Sequence, residues 1–439
     1  MKHYRIITLG CKVNQCESDS IAARLERDGW HRSSTRGAVE LVIVNTCAVT
    51  GKAAMQSRQV IRQERRRSPR ARMIVTGCYA ELEPEAIHET TGEHDIVGHG
   101  DKCRIPEMIA GQTQAHPPGN NRQNPPFFAD AFTPGHPIPG SSRTRPVLKI
   151  QDGCDAFCAY CIVPHARGRS RSMPVGEAID NIQLLHDAGY HEVVLSGIHL
   201  GCYGFDLEPP ASLNHLMERI ARKTGVYRVR LSSIEPKELT GGIITRVAGS
   251  TTFCNHFHIP LQSGDNSTLH RMNRPYTAEF FAGLVRNIRT QIPDAAIGAD
   301  VLIGFPGETD GAFQRTYDLL ASLPITYLHV FPFSPRKGTP AAVMPDQVPD
   351  PVKKERARRI RELGNAKRAE FHGSTIGNTL EVLIEEKRDP ETGWLKGASS
   401  NYITVLVEGS DDLKNHVVSA MAVRRSGDNR LIGQIRGIR

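Results

Sequence analysis

Short apolar runs alternate with longer amphipathic stretches over the first hundred residues of the chain. The runs predict strands at residues 4–9, 41–46 and 73–77. Helical patterns follow these runs from near Glu17, over residues 58–67 and from Pro84. Strands that alternate with helices predict a parallel, doubly wound α/β sheet, and we expect this first domain to span residues 1–110.

The stretch from residue 111 to 145 interrupts this alternation. It is rich in proline, glycine, asparagine and histidine, and Phe127, Phe128 and Phe132 are its few residues suited to burial. Such a composition predicts a linker, or a crossover that runs over the surface, rather than a folded unit.

The alternation of strands and helices resumes at residue 146 and continues to residue 373. Strands are predicted at residues 147–151, 192–196, 227–231, 256–259, 297–303 and 327–331. Helical patterns lie between them, notably at residues 175–188, 278–291 and 312–323. Six strand–helix units are too few for a complete eight-fold barrel, but they suit a partial (β/α)6 barrel. A charged helix over residues 351–373 is predicted to close this barrel.

Residues 374–439 show a third pattern, of short strands without intervening helices. The strands are predicted at residues 379–385, 394–396, 402–407, 416–422 and 430–435. Short strands separated by turn signals predict a small β-barrel of the OB kind, a fold that often binds nucleic acid.

The chain carries a net charge of +8, and its basic residues are unevenly distributed. Residues 58–72 hold seven arginines against one acidic residue, and residues 353–368 hold eight basic residues against two acidic ones. Each tract is either a solvated helix face or part of a nucleic-acid surface. Residues 375–439 carry nine acidic and nine basic residues, and only the tail from Arg424 onwards is clearly basic.

The sequence contains no apolar run that approaches the ~20 residues a membrane-spanning helix needs. The first residues also lack the apolar core and the cleavage site of a signal peptide. We therefore expect a cytoplasmic protein that makes no contact with a membrane.

Three of the ten cysteines lie within eight residues of one another. Cys154, Cys158 and Cys161 follow the first predicted barrel strand, and this places them at the mouth where barrel chemistry occurs. Zinc sites usually have a fourth protein ligand, and none follows here. Three thiolates suit a [4Fe-4S] cluster with one iron left open, although a structural zinc knot is the alternative.

A second group of cysteines is widely separated in sequence. Cys11, Cys47 and Cys78 each come directly after a predicted strand of the first domain. Because ligands bind beyond the carboxyl ends of the strands in such sheets, we expect the three thiols to converge on a second iron–sulfur cluster. Cys16 and Cys103 end no strand and are interpreted as ordinary thiols.

The Cys154–Cys161 motif, with Tyr160 before its last cysteine, resembles the signature loop of the radical S-adenosylmethionine (SAM) superfamily. The resemblance implies that the open iron chelates the amino and carboxylate groups of SAM. It also implies that Tyr160 offers its backbone to the adenine of SAM. Glycine-rich loops that contain Ser196, Gly197 and Gly304 are expected to line the same site.

The complete set of six cysteines, the barrel and a terminal module similar to the TRAM domain resemble the methylthiotransferases. This resemblance implies two [4Fe-4S] clusters, SAM, tRNA, a sulfur source and an electron donor such as flavodoxin or ferredoxin. In the family, SAM cleavage yields a 5′-deoxyadenosyl radical, which suits sulfur insertion at an unactivated carbon. The N-terminal cluster holds or donates the sulfur, and a second SAM supplies the methyl group. No catalytic residue beyond the cluster ligands is predicted.

The motif Thr8-Leu-Gly-Cys-Lys-Val-Asn-Gln15 resembles the subfamily that acts on N6-threonylcarbamoyladenosine next to the anticodon. It implies methylthiolation of C2 of that nucleoside at position 37 of tRNA. Cys16 departs from the subfamily, in which an aromatic residue is more usual. Four alternatives stay open: isopentenyladenosine or a ribosomal protein as substrate, another radical SAM reaction, or a non-catalytic protein that binds zinc and RNA. His258 is either a structural residue or a substrate contact.

Overall fold

Five parallel strands form the N-terminal sheet in this computed structural model, which describes residues 1–33, 39–91, 95–113, 143–427 and 429–438. The strands are β1 (Lys2–Thr8), β2 (Trp30–Arg32), β3 (Leu41–Thr46), β4 (Arg72–Gly77) and β5 (Asp95–Val97). Their order is β2-β1-β3-β4-β5, which is one of the two common doubly wound arrangements. The predicted fold class is confirmed, and the strand order reverses between β1 and β3.

Helices cover both faces of this sheet. They are α1 (Lys12–Arg27), α2 (Gly51–Arg67), α3 (Cys78–Leu82), α4 (Pro84–Thr91) and α5 (Ile105–Ile109). The prediction that the first helix begins near Glu17 is wrong, because α1 begins at Lys12. The helix buries Asn14 and Glu17 on the same side as Val13 and Ile21. These buried polar residues interrupt the apolar periodicity at the start of α1. The periodicity therefore does not indicate the first turn of the helix.

The central region is a partial barrel of parallel strands. Its strands, with one short antiparallel pair, are β6 (Val147–Lys149), β7 (Gln151–Asp152), β8 (Arg171–Ser172), β9 (Glu192–Ser196), β10 (Arg228–Leu231), β11 (His256–Gln262), β12 (Ala296–Ile303) and β13 (Tyr327–Pro332). Two parallel sheets, β6-β9-β10 and β11-β12-β13, meet through a parallel bridge between Val229 and Phe253. The predicted first strand is divided, because β7 leaves β6 and pairs with β8.

Helices surround the barrel and complete its core. They are α6 (Val163–Arg167), α7 (Val175–Asp187), α8 (Leu213–Lys223), α9 (Gly241–Ala248), α10 (Asn266–Arg271), α11 (Ala278–Gln291), α12 (Asp310–Ser322) and α13 (Asp350–Thr375). The predicted charged helix is α13, which buries Ala357 and Ile360 in the barrel core. Several of its basic side chains serve the fold. Arg356 pairs with Glu308 at 2.7 Å, and Lys367 Nζ donates to the carbonyl of Leu323 at 2.7 Å.

The C-terminal strands form a closed barrel. They are β14 (Thr379–Ile384), β15 (Leu395–Ser399), β16 (Thr404–Val407), β17 (Val417–Ser426) and β18 (Arg430–Ile438), in the order β14-β15-β16-β18-β17. This five-stranded barrel confirms the predicted OB-like module. The basic tail from Arg424 is part of this barrel, because it completes β17 and forms β18. Alternating residues of β17 and β18 are buried in the barrel core. The folded module therefore extends beyond the last apolar run of the sequence.

The C-terminal barrel docks on the start of the central strands through buried arginines. Arg228 donates to the carbonyl of Ala398 at 2.9 Å, and Arg230 donates to the carbonyls of Ser399 and Ser400 at 3.0 and 2.9 Å. Glu192 accepts from both guanidinium groups, at 2.6 and 2.7 Å. One buried carboxylate therefore holds two side chains that join the two barrels.

The predicted linker, residues 111–145, lies largely outside the described residues. At its described end, Arg143 pairs with Asp19 at 3.0 Å and Arg145 pairs with Glu385 at 2.7 Å. The segment therefore reaches the barrel with contacts to both the N-terminal and the C-terminal units. Within the described part of the chain, every helix is too short or too polar to cross a membrane.

Candidate iron–sulfur sites

Cys11, Cys47 and Cys78 lie at the edge of the N-terminal sheet where the strand order reverses. Thr8 of β1 pairs with Asn45 of β3, and Thr46 pairs with Gly77 of β4, so the three strands end in register. A Cβ on Gly10 would lie 2.9 Å from the Sγ of Cys47. The structure thus brings together three thiols that are separated by 67 residues of sequence, from 11 to 78.

The three N-terminal thiols differ in exposure. Cys47 and Cys78 are buried, whereas Cys11 is exposed at the start of α1. Burial raises the pKa of the Cys78 thiol to about 11, against the opposing charge of Arg167, and nearby Cys11 and Cys47 raise it further. The buried thiols are therefore neutral in the metal-free chain, and metal binding would release their protons.

The barrel triplet occupies a loop closed at its base by β7 and β8. Gly153 has φ of +74°, and a Cβ there would lie 1.8 Å from the carbonyl oxygen of Arg169, so only glycine fits. Cys154 N donates to the carbonyl of Gly168 at 3.0 Å, and Cys161 N donates to the carbonyl of Cys158 at 2.9 Å. These bonds fold the loop back on itself and direct all three cysteines towards one region.

Two side chains that the sequence analysis did not select contact this triplet. His199 Nδ1 lies 3.3 Å from Cys154 Sγ, and its Nε2 lies 2.6 Å from Glu238. Arg274 donates to Cys158 Sγ at 3.3 Å and also pairs with Glu235. His199 lies in the glycine-rich loop after β9, and Arg274 lies in the segment between α10 and α11. The missing signal was spatial, because both segments are remote from the cysteines in sequence.

The residues predicted to contact SAM surround the same mouth of the barrel. Tyr160 packs beside a buried apolar cluster that includes Met272, Phe305 and Phe333. Ser196 ends β9 and is followed by Gly197, and Gly304 follows β12. A Cβ on Gly197 would lie 2.9 Å from Gln151 Oε1, and one on Gly304 would lie 2.2 Å from Lys353 Cγ. Both glycines accommodate neighbouring side chains, and their role towards SAM stays a prediction.

A buried network of charges joins the two cysteine sites. Arg167, at the end of α6, contacts Asp152 at 2.8 Å, Glu17 at 3.1 Å and Asn14 Oδ1 at 2.5 Å. Lys102 and Lys149 also pair with Glu17, at 2.7 and 3.3 Å. Asp152 directly precedes Gly153 and Cys154, and Asn14 holds the carbonyl of Thr46 beside Cys47. The network therefore links the backbone of one site to the backbone of the other.

Lys12 follows Cys11 and lies at the junction of the three structural units. Its side chain is accessible to solvent, although many protein atoms surround it. This desolvation, together with the charges of Arg230 and Arg145, lowers its pKa to about 8. The start of α1 is thus close to the interface between the two barrels.

The geometry of the cysteines favours a cluster over a single ion. Among the described residues, the groups of three whose ligand atoms all lie within 4.8 Å of one another are His199-Cys202-Glu238 and His258-Asp300-His329, and neither cysteine triplet is included. Four sulfurs around one zinc ion lie about 3.8 Å apart, as the Zn–S bond of ~2.3 Å requires. A cubane is larger than one ion and needs its thiolates further apart, and the two triplets as its ligands stay a prediction.

His258 has a partner inside the barrel. Its Nε2 lies 2.7 Å from Asp300 Oδ1, and His329 Nδ1 lies 3.2 Å from the same oxygen. Burial raises the pKa of Asp300, but the bonds from His258 and His329 outweigh it and lower the pKa to about 2. The three residues lie on β11, β12 and β13, so they form one hydrogen-bonded group across adjacent strands.

Comparisons with known proteins agree with this architecture. Residues 3–98 match the Uncharacterized protein family UPF0004, and residues 148–320 match the Radical SAM superfamily. The chain is 38% identical over 422 residues to threonylcarbamoyladenosine tRNA methylthiotransferase MtaB of Bacillus subtilis. The alignment covers 95% of this chain and 93% of that protein. It is 32% identical over 428 residues to tRNA-2-methylthio-N(6)-dimethylallyladenosine synthase of Pelotomaculum thermopropionicum. That alignment covers 95% of this chain and 94% of the synthase.

A solved structure shows a similar fold. The radical SAM methyltransferase TsrM from Kitasatospora setae superposes with a TM-score of 0.56 at 16% identity, over 78% of this chain and 77% of that chain. At this identity the likeness concerns the fold alone. The sequence relationships extend over almost the full length of both partners. The chain therefore belongs to the radical SAM methylthiotransferase family.

Proposed function

We propose that this chain transfers a methylthio group to C2 of N6-threonylcarbamoyladenosine at position 37 of tRNA. The observation that carries the proposal is the 38% identity, over 95% of the chain, to an enzyme named for that substrate. The motif from Thr8 to Gln15, which includes Cys11 and Lys12, supports the same subfamily. Relatives named for dimethylallyladenosine are 32–33% identical, so that nucleoside is the alternative substrate.

Each cysteine triplet would hold one [4Fe-4S] cluster. Cys154, Cys158 and Cys161 would leave one iron open to SAM, and Tyr160, Ser196, Gly197 and Gly304 would line the SAM site. Cys11, Cys47 and Cys78 would hold the second cluster. When bound, the clusters and SAM supply the radical and sulfur chemistry that side chains lack.

The side chains around the triplets orient the cysteine ligands. Ser57 accepts a bond from Cys47 N at 3.1 Å and donates to Cys47 O at 2.9 Å, which fixes the backbone beside that thiol. His199 and Arg274 contact the sulfurs of Cys154 and Cys158 and are themselves held by carboxylates. Such contacts around metal ligands orient them and tune their electronics.

The exposure of Cys11 suggests where the reactants meet. With Cys47 and Cys78 buried, the N-terminal site is open on the side of Cys11, which faces solvent at the start of α1. A sulfur source and the tRNA would approach from this side. An electron donor such as flavodoxin or ferredoxin would reduce the barrel cluster, and the whole reaction would take place in the cytoplasm.

Nucleoside analysis of tRNA tests the proposal directly. Mass spectrometry of tRNA from a deletion strain is expected to show unmodified N6-threonylcarbamoyladenosine in place of its 2-methylthio derivative. The wild-type gene should restore the derivative, and a Cys47→Ala variant should not. Loss of 2-methylthio-isopentenyladenosine instead would assign the alternative substrate. Unchanged tRNA nucleosides in the deletion strain would contradict a tRNA substrate.

A further inference from the structure

A cavity of about 430 Å³ lies between the floor of the central barrel and the C-terminal barrel. Its walls include Arg145, Tyr327, His329, Arg368, Tyr402 and Arg430. Among the described residues, no carboxylate lines it. A cavity of this size accommodates a small organic group or a single nucleotide.

The basic residues of the wall differ in how far they are neutralised. Arg145 pairs with Glu385, and Arg430 pairs with Asp389 at 2.6 Å, so carboxylates behind the wall compensate both. Arg368 has no carboxylate partner among the described residues. Its guanidinium instead lies 5.7 Å from the centre of the Tyr327 ring. Arg368 therefore presents to the cavity a guanidinium that no described carboxylate contacts directly, and Asp300 lies behind the wall, bonded to His329.

Aromatic side chains form the other part of the wall. The rings of Tyr327 and Tyr402 lie 5.9 Å apart at 36°, and Arg230 lies 5.3 Å from the centre of the Tyr402 ring. Tyr402 has φ of +62° and is 42% exposed. An exposed tyrosine beside an arginine is a surface on which a nucleic-acid base stacks well.

We infer that this cavity binds a nucleotide of the tRNA substrate, with an anionic oxygen group at Arg368 and a base against Tyr402. The inference rests on the proposed function, because it takes tRNA as the substrate. The anionic group is either a backbone phosphate or the carboxylate of the threonylcarbamoyl group, which share the same oxygen chemistry. Lys12, next to Cys11, lies close to Arg145 of the cavity wall and to Arg230.

Binding of two anticodon stem-loops to the iron-loaded full-length protein tests the inference. One RNA carries N6-threonylcarbamoyladenosine at position 37, and the other carries adenosine. Arg368→Gln is expected to weaken binding about tenfold, as loss of a hydrogen bond to a charged group does. If the group is a phosphate, both RNAs weaken equally and the salt slope falls by about 0.7. If it is the carboxylate, only the modified RNA weakens.

Control variants separate the charge from the fold. Arg286→Gln removes the same charge from an exposed site on α11 and should leave binding unchanged. Arg368→Lys should recover part of the affinity, since it keeps the charge, and Tyr402→Ala should weaken binding of both RNAs. Unchanged affinity of Arg368→Gln for both RNAs would overturn the inference while leaving the proposed function intact. Failure of the wild-type protein to bind either RNA would overturn both.

Discussion

Cys154, Cys158 and Cys161 share one loop, and the bonds that fold this loop do not involve the N-terminal cysteines. Cys154 N is held by Gly168, and Ala159 N donates to the carbonyl of Met272 at 3.0 Å. Loss of the three thiols should therefore leave the other triplet able to bind its cluster. We therefore expect each triplet to bind its cluster whether or not the other triplet is occupied.

Iron content measures this independence. After anaerobic reconstitution the wild-type chain is expected to bind about eight irons, four in each cluster. Replacement of Cys154, Cys158 and Cys161 with alanine should reduce the content to about four and abolish SAM cleavage. Iron analysis and quantification of methionine release check both values. A triple variant that retained all of its iron would show that this loop holds no cluster.

Cys47 provides the complementary test. Its Sγ lies at the edge of the N-terminal sheet, in a different structural unit from the barrel loop. Cys47→Ala is expected to leave reductive SAM cleavage largely intact and to stop sulfur insertion into tRNA. Chromatography of the cleavage products and of the tRNA nucleosides gives the two readouts. Normal methylthiolation by this variant would remove the N-terminal site from the reaction.

Cys16 is the internal control for both experiments. It is buried in α1, and desolvation raises the pKa of its thiol to about 12, so it behaves as a small apolar residue. Cys16→Ala should keep about eight irons and full activity. A serine in its place would bury a hydroxyl, so alanine is the better substitution. Loss of iron from Cys16→Ala would identify Cys16 as a ligand.

The sequence revealed the six cysteines but not their neighbours. Spacing identifies Cys154, Cys158 and Cys161, because a short loop can wrap a cluster on its own. Cys11 and its partners were found because each follows an apolar strand, and strand ends meet at one edge. His199 and Arg274 reach the sulfurs from loops 45 and 116 residues away in sequence. No local pattern encodes such distances.

Among the elements, most strands and the long helices were predicted to within a few residues, and α11 has the predicted bounds of 278–291. Buried β-branched runs such as Leu41–Thr46 give a clear signal, and the structure has that strand with the predicted bounds. The start of α1 was missed because Asn14 and Glu17 are buried through polar partners rather than apolar contacts. The prediction ended β18 at residue 435, because the last three residues of the strand, Arg436–Ile438, are all exposed.

Glu192 stabilises the contact between the central barrel and the C-terminal barrel. It lies at the start of β9, is fully buried, and accepts from Arg228 and Arg230. Removal of one partner of a buried ion pair costs about 3–5 kcal/mol, because the remaining charges stay uncompensated. Glu192→Gln is therefore expected to loosen the C-terminal barrel. Hydrogen exchange of β15 and β16, measured beside the wild type, should become faster.

The same carboxylate gives a pH dependence. Burial raises the pKa of Glu192, but the charges of Arg230 and Arg228 outweigh it and lower the pKa to about 2, against about 4.5 when unfolded. Its contribution to stability is complete above pH 4.5 and is lost as the pH falls towards 2. Unfolding measured between pH 6 and 3 should show a steeper loss of stability for the wild type than for Glu192→Gln. Identical profiles would contradict this role.

At the level of the whole molecule, Arg167 connects the N-terminal sheet to the barrel. It is 1% exposed and contacts Glu17, Asp152 and Asn14. Arg167→Leu should lower the free energy of unfolding by about 3–5 kcal/mol, as for other broken buried pairs. Arg169→Leu is the matched control, since its pairing with Asp155 at 3.5 Å is exposed and contributes ~0–1 kcal/mol. Chemical denaturation of both variants checks the difference.

The C-terminal barrel is expected to anchor the tRNA although its net charge gives no strong electrostatic attraction. Its nine basic residues match nine acidic ones over residues 375–439, so local sites such as the cavity at Arg368 must provide the attraction. Many basic side chains of α13 are already engaged by the fold, as Arg356 and Lys367 show. The exposed arginines of α2, including Arg62 and Arg66, are expected to provide further phosphate contacts.

Truncation after Thr375, where α13 ends, tests whether the C-terminal barrel contributes to tRNA binding but not to cluster binding. The shortened protein should keep about eight irons, because all six cysteines precede the cut, and it should bind tRNA more weakly. The slope of log affinity against log salt should fall by about 0.7 for each lost contact with a single-stranded phosphate. Titrations at several salt concentrations give this slope, and Arg62→Gln in the full chain gives a reference for one lost α2 contact. If the truncated protein bound and modified tRNA as the full chain does, the N-terminal sheet and the central barrel alone would hold the substrate.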